Sequence, residues 1–138
     1  MDVLPQFERT RILLDDDEHG RLASAHVLVA GLGGVGSYCA EALARAGVGR
    51  LTIIDHDVVA ASNINRQLPA LLSTVGQPKV ELMAARIRDI NPACELTAIR
   101  EFLIPETVAD IVPADVDFVV DCIDSLNCKV ALVATSFE

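Results

Sequence analysis

The chain predicts an α/β fold, a Rossmann-like, doubly wound and mainly parallel sheet, on three observations. Short β-branched runs alternate with helical patterns from His26 onward, a glycine-rich turn joins the first run to the first helix, and an acid closes the second run. The run His26-Val27-Leu28-Val29-Ala30 leads into Gly31, Gly33, Gly34 and Gly36, and then into an amphipathic stretch. A strand that turns at once into a helix, brings its backbone close to a phosphate and packs the helix hard against itself needs glycine at such points. Exposed N–H groups and the positive end of the helix dipole then face the anion. Asp55 ends the next run, Leu51-Thr52-Ile53-Ile54, where a carboxylate accepts hydrogen bonds from ribose hydroxyls. The competing reading, a tight turn that binds nothing, leaves that carboxylate without a purpose.

Residues 1–25 read as a polar arm, a cap or a partner contact outside the core, with Arg9 and Arg11, the apolar group Ile12-Leu13-Leu14 and the acidic run Asp15-Asp16-Asp17-Glu18. Residues 26–138 read as one nucleotide-binding domain. Its first strand covers 26–30, and the following helix turns Val35, Cys39, Ala42, Leu43 and Ala46 to one face before Gly47 stops it. A strand over 50–54 comes next. A helix starting near Pro78 carries Val80, Ala84, Ile87 and Ile90 inward until Asn91-Pro92 ends it. A strand over Glu95–Ile99, a short helical segment after Pro105, a strand over 118–122 and a helix from Ser125 to about Phe137 complete the pattern. With the last helix unclosed and only about half of a doubly wound sheet written, the domain is expected to be incomplete at its carboxyl end.

At 138 residues and 51% hydrophobic content the chain fills one domain with a real core. No apolar run has the length of a membrane span, and Met1 to Phe7 lacks the basic and apolar regions of a signal peptide, so a cytoplasmic location is expected. Cys39, Cys94, Cys122 and Cys128 form no CxxC pair and have no spaced histidine. They encode neither a zinc site nor a redox motif and read as small buried hydrophobes, Cys39 and Cys122 as core, with Cys128 the one partly exposed. His19, His26 and His56 read as surface or strand-edge residues. A net charge of −9 argues against a broad electrostatic footprint for nucleic acid on this segment.

Between the second and third strands the chain spends a long polar crossover on Asp55-His56-Asp57, Ser62-Asn63-Ile64-Asn65-Arg66-Gln67 and Gly76-Gln77-Pro78-Lys79. Long loops in compact domains tend to be functional. Arg66, a forked donor, and Lys79, a point charge, are placed to converge on a triphosphate above the glycines, against the alternative of a solvated loop. Asp124, past the end of the fourth strand, offers a hard oxygen for Mg²⁺ on the side where such sheets place ligands, its simpler reading being a helix N-cap.

Together, GLGGVG, Asp55, SNINRQ, GQPK and DCIDS resemble, in order and spacing, the adenylating domain of the E1-like enzymes that activate ubiquitin-like and sulfur-carrier proteins. The resemblance runs over roughly residues 7 to 135. The phrases ERTRILL, GSYCAEALARAGVG, NINRQLPAL and RIRDINP look most like the tRNA threonylcarbamoyladenosine dehydratase branch. That branch adenylates the carboxylate of a modified adenosine beside a tRNA anticodon, and the product cyclises. The resemblance puts the ribose-binding acid on Asp55, the phosphate-contacting arginine and lysine on Arg66 and Lys79, and the magnesium-binding acid on Asp124. It matches Asn63 and Gln67 to polar positions lining the nucleotide pocket, which Asp57 is expected to join, and leaves Asn65 to shape the loop. It also implies a homodimer in which an arginine of one subunit's arm enters the partner's ATP site; Arg9 is the better match and Arg11 the rival.

The implied chemistry is attack of a substrate carboxylate on the α-phosphate of ATP, giving an acyl-adenylate and pyrophosphate. The protein supplies placement and charge neutralisation, and no cysteine is assigned as nucleophile. Three alternatives remain: adenylation of a small ubiquitin-like or sulfur-carrier protein, nicotinamide-dependent oxidoreduction, and nucleotide binding without activity. Nothing after Asp55 resembles a hydride-transfer site, and Arg66, Lys79 and Asp124 are surplus to a dinucleotide site.

Overall fold

Four parallel strands lie in the order β3-β2-β1-β4 in the computed structural model, which describes residues 4–137. They are β1 (His26–Ala30), β2 (Arg50–Ile54), β3 (Glu95–Ile99) and β4 (Phe118–Asp121). The chain steps outward from β1 to β2 to β3, then crosses back to lay β4 on the other side of β1. The sheet is therefore wound in both directions from β1, as expected, and the reversal opens a crevice between the carboxyl ends of β1 and β4. The first three residues, part of the stretch read for a signal peptide, lie outside the described residues, as does Glu138.

All five residues of β1 are buried, because helices cover the sheet on both sides. On one face Val27, Val29, Leu51 and Ile53 pack with α2 (Gly36–Ala46) and α3 (Lys79–Ile90). On the other, Leu28, Ala30 and Ile54 meet Val108 of α4 (Val108–Ile111) and Leu132 of α5 (Leu126–Ser136). The inward residues expected of α3 hold: Val80, Ala84 and Ile87 are buried, joined by Met83, and Ile90 packs beside them.

Three expectations are corrected. The arm is a cap, one of its two readings, but not wholly outside the core: Asp15 and Glu18 form a reciprocal capping box that starts a helix, α1 (Asp16–Ser24). Leu22 packs against the first core cluster, and Phe7 is buried against Gly47. Of the face expected of α2, Cys39 and Leu43 pack against the core, but the buried face is rotated from the one expected. Gly36, Ser37, Ala40 and Ala44 face inward while Val35 and Ala42 are exposed, because a Cβ on Gly36 would fall 1.6 Å from the carbonyl oxygen of Gly31 and only small residues let the helix approach that closely. Finally, His19, His26 and Cys128 are buried, whereas Cys39, Cys94 and Cys122 are only partly buried, packed against the edge of the first core cluster. The His26 ring bonds to the Thr52 hydroxyl at 2.8 Å, which satisfies part of its polarity within the sheet.

Candidate functional site

A cavity of about 560 Å³ opens at the β1/β4 crevice, within the size range of small-molecule sites. Its floor is the turn after β1. Gly31 has φ +94°, and a Cβ there would stand 2.5 Å from the carbonyl oxygen of Cys122 on the β4 side, so glycine is required by conformation and by the close approach of two strand ends. Among the described residues, the N–H groups of Gly33, Gly34 and Val35 have no protein acceptor. They sit at the amino end of α2, where free N–H groups and the helix dipole attract an anion.

Asp55 lines the cavity at the end of β2 and is tied to that turn. One carboxylate oxygen accepts the N–H of Leu32 at 2.7 Å and the other that of Asp57 at 2.7 Å. The sequence argument gave it a sugar to hold; the structure adds a part in fixing the glycine turn. Lys79 is placed by a short antiparallel bridge between Val58 and Pro78, in which its N–H bonds to the Asp57 carbonyl at 3.0 Å. Its buried side chain brings Nζ to 3.8 Å from an Asp57 oxygen. Asp57 also pairs with His56 at 3.0 Å, and the ligand atoms of Asp55, His56 and Asp57 lie within 4.8 Å of one another.

A strap over residues 62–68 runs over the glycines, with Arg66 against Gly34 and Gln67 against Gly33. The Arg66 guanidinium donates to the Ser62 carbonyl and to Asn65 Oδ1, each at 3.0 Å, so Asn65 shapes the loop around Arg66. Asn63 accepts the Ala60 N–H at 2.9 Å and starts the strap's turn. Asp124 is exposed at the cavity edge. It does not cap α5, whose N-cap is Ser125, so its carboxylate faces the cavity without that duty. Asp124 and Asp57 offer hard oxygens on the same rim, the donor type that Mg²⁺ prefers.

Of the residues singled out in the sequence, Gly31, Gly33, Gly34, Asp55, Asp57, Asn63, Arg66, Gln67, Lys79 and Asp124 all line this one cavity. Gly36 and Arg9 do not. Gly36 serves the packing of α2 on the turn, and Arg9 lies exposed on the amino-terminal segment. The sequence reading missed His56, Glu101, Phe102 and Leu103, which form another wall. His56 and Phe102 meet edge to face, with centroids 4.4 Å apart. Phe102 and Leu103 follow the end of β3, and the rule that ligands gather at the carboxyl ends of parallel strands would have found them. Cys122 and Cys128 also line the cavity. Burial pushes the Cys122 thiol above its ordinary range, helped by Cys39 and Asp121, which disfavours the nucleophilic thiolate.

This is a doubly wound α/β protein whose switch point presents free backbone donors, an arginine, a lysine and carboxylates to one cavity. Residues 7–138 match the ThiF family, and the chain belongs to that family. It is 48% identical over 131 residues to tRNA threonylcarbamoyladenosine dehydratase of Bacillus subtilis (strain 168), covering 95% of this chain and 52% of that protein. It is 50% identical over 112 residues to the protein of the same name from Escherichia coli (strain K12), covering 81% and 42%. The crystal structure of E. coli tRNA N6-threonylcarbamoyladenosine dehydratase, TcdA, in complex with ATP superposes with a TM-score of 0.90 at 46% identity, covering 94% of this chain and 53% of that one. The chain spans about half the length of the curated relatives it matches.

Proposed function

We propose that the complete protein is an ATP-dependent adenylating enzyme whose substrate is the threonylcarbamoyl carboxylate of a modified tRNA adenosine, which then cyclises. The observation that carries this reading is the convergence of Asp55, Arg66, Lys79 and Asp124 on one cavity beside free glycine-turn N–H groups. It is supported by close similarity to dehydratases that bear that name and to one solved with ATP. In this reading Asp55 and Asn63 hold the ribose side of ATP, with Gln67 and Asp57 beside them. Gly31, Gly33, Gly34 and Gly36 shape the turn that receives the phosphates. Asp124 holds Mg²⁺, which when bound neutralises phosphate charge.

A carboxylate oxygen of the substrate forms a bond to the α-phosphorus as the bond to pyrophosphate breaks. Arg66 and Lys79 stabilise the charge that accumulates on the departing group, and the backbone donors keep the phosphates in line. Arg9 of a second subunit completes the site in a homodimer, with Arg11 as the alternative. The protein works in the cytoplasm; no helix among the described residues is long and apolar enough to cross a membrane.

A second reading, adenylation of a small ubiquitin-like or sulfur-carrier protein, is favoured by one observation, the net charge of −9, which suits tRNA poorly. Pyrophosphate exchange by the full-length gene product separates the two. Exchange stimulated by threonylcarbamoyl-modified tRNA supports the first. Stimulation by a carrier protein alone supports the second, and tighter binding of NAD than of Mg·ATP overturns both.

A further inference from the structure

We propose that Ser37 is a positioning residue for the Arg66 guanidinium, acting through the glycine turn without touching the nucleotide. The proposal rests on the adenylation reading for the role it gives Arg66. Ser37 is fully buried at the start of α2, beneath the cavity. Its hydroxyl donates to the Gly33 carbonyl at 2.5 Å and accepts the N–H of Leu68 at 3.3 Å. Both functions of the buried hydroxyl are thereby used, and a side chain needed only for packing would not carry the cost of burying it.

The two segments it joins are the glycine turn and the strap that carries Arg66. Arg66 Cγ lies 3.5 Å from where a Cβ on Gly34 would be, and the Gln67 amide nitrogen 3.6 Å from where one on Gly33 would be. Two consecutive strap residues thus rest against two consecutive glycines. Contact alone leaves such a pair free to slide. Among the described residues, the Arg66 guanidinium bonds only within its own strap, to Ser62 and Asn65, and Gln67 Oε1 is buried without a partner. Among the described residues, the hydrogen-bonded link from strap to turn runs from the Leu68 N–H to the Ser37 hydroxyl at the start of α2, and from that hydroxyl to the Gly33 carbonyl. The register of the guanidinium over the phosphate end therefore depends on a hydroxyl outside the cavity lining.

The test is a double-mutant cycle in the full-length protein, read in pyrophosphate exchange, with melting temperatures recorded for every variant. Ser37→Ala is expected to lower kcat about tenfold with little change in KM for ATP, since the positioned group acts on the leaving pyrophosphate. In an Arg66→Ala background it should cost nothing further. Ser37→Cys, which keeps a weak donor and acceptor, should fall between, and it carries the cycle if the alanine variant does not fold. A merely structural role predicts the same fold-loss in both backgrounds, and that result, or a loss confined to KM, overturns the proposal. A second readout does not depend on turnover. The Arg66 Nε–H resonance, assigned by comparison with Arg66→Lys, should shift on adding Mg·ATP in the wild type and lose that shift in Ser37→Ala. If the wild type binds Mg·ATP but exchanges no pyrophosphate with any acceptor, the adenylation reading fails, while an unaltered resonance in Ser37→Ala refutes the role of Ser37 separately.

Discussion

Asp55 is asked to do two things with two oxygens. Each accepts a backbone N–H, and one of those donors, Leu32, belongs to the glycine turn. Asp55→Ala is therefore expected to loosen the turn as well as to lose the ribose. It should cost about 1.5–3 kcal/mol of nucleotide affinity by calorimetry with Mg·ATP, together with a lowered melting temperature, since a half-buried N–H is left unpaired. Unchanged affinity would remove Asp55 from the site. Arg66→Ala and Lys79→Ala should behave differently, because their charges matter most as pyrophosphate leaves. We expect adenylation to fall ~10²-fold with a much smaller change in ATP affinity, and equal losses in rate and affinity would mean plain ground-state binding. The cysteines give a pH dependence. Burial raises the thiols of Cys39, Cys94 and Cys122 above the ordinary value of 9.0, so above pH 9.0 the unfolded chain releases protons that the folded chain retains. Their contribution to stability is complete below that pH and is lost as pH rises through the raised folded values. Melting temperature should fall on the alkaline side more steeply in the wild type than in a Cys39→Ala, Cys94→Ala, Cys122→Ala variant.

At the scale of elements, α1 exists because two acids close its first turn. Asp15 accepts the Glu18 N–H at 2.9 Å and Glu18 accepts the Asp15 N–H at 2.9 Å. Asp15→Ala should cost about 1 kcal/mol and fray the helix, which faster amide exchange across residues 16–19 would report. The box was visible in the sequence as an acid three residues before Glu18, but a run of four acids reads first as solvated charge. The strands were legible to within a residue, because a sheet covered on both faces demands continuous β-branched runs and those stand out in any window. The helix α2 was legible in extent and misjudged in rotation. The helical spacing of apolar residues favoured the face of Val35 and Ala42, whereas the requirement that α2 start against Gly31 selects the face carrying Gly36, Ala40 and Ala44. The cavity was legible on its polar side, where Arg66 and Lys79 have few other uses in a loop. The wall of His56 and Phe102 was missed because single residues in connecting loops drew no weight, although both follow the carboxyl ends of strands, where such sheets gather ligands. Ser37 was hidden for a different reason: its partner Leu68 lies 31 residues along the chain, and no local pattern joins the two.

At the scale of the molecule, the decisive fact is how the amino-terminal segment is held. Phe7 is buried against Gly47, and Leu22 of α1 accepts the Gly49 N–H at 3.0 Å, so the segment is pinned to its own domain on both sides of Arg9. The stretch between the anchors presents Arg9 to solvent with Ile12 and Leu13, which are 82% and 83% exposed. A pinned segment does not swing out to find a distant site. If Arg9 serves a partner's phosphates, two domains must dock rigidly with these segments at the seam, and a two-fold arrangement then completes both sites alike. Subunit mixing tests that geometry. Full-length Arg9→Ala and Asp124→Ala proteins should each be inactive as homodimers. In a mixed dimer the Arg9→Ala subunit keeps its own Asp124 and receives Arg9 from its partner, so one site works, and random exchange should restore about a quarter of the wild-type sites. An arginine acting on its own domain restores none, because no site in any pairing then holds both wild-type groups. Recovery of adenylation after verified exchange supports the shared site; no recovery, or a fully active monomer, rejects it.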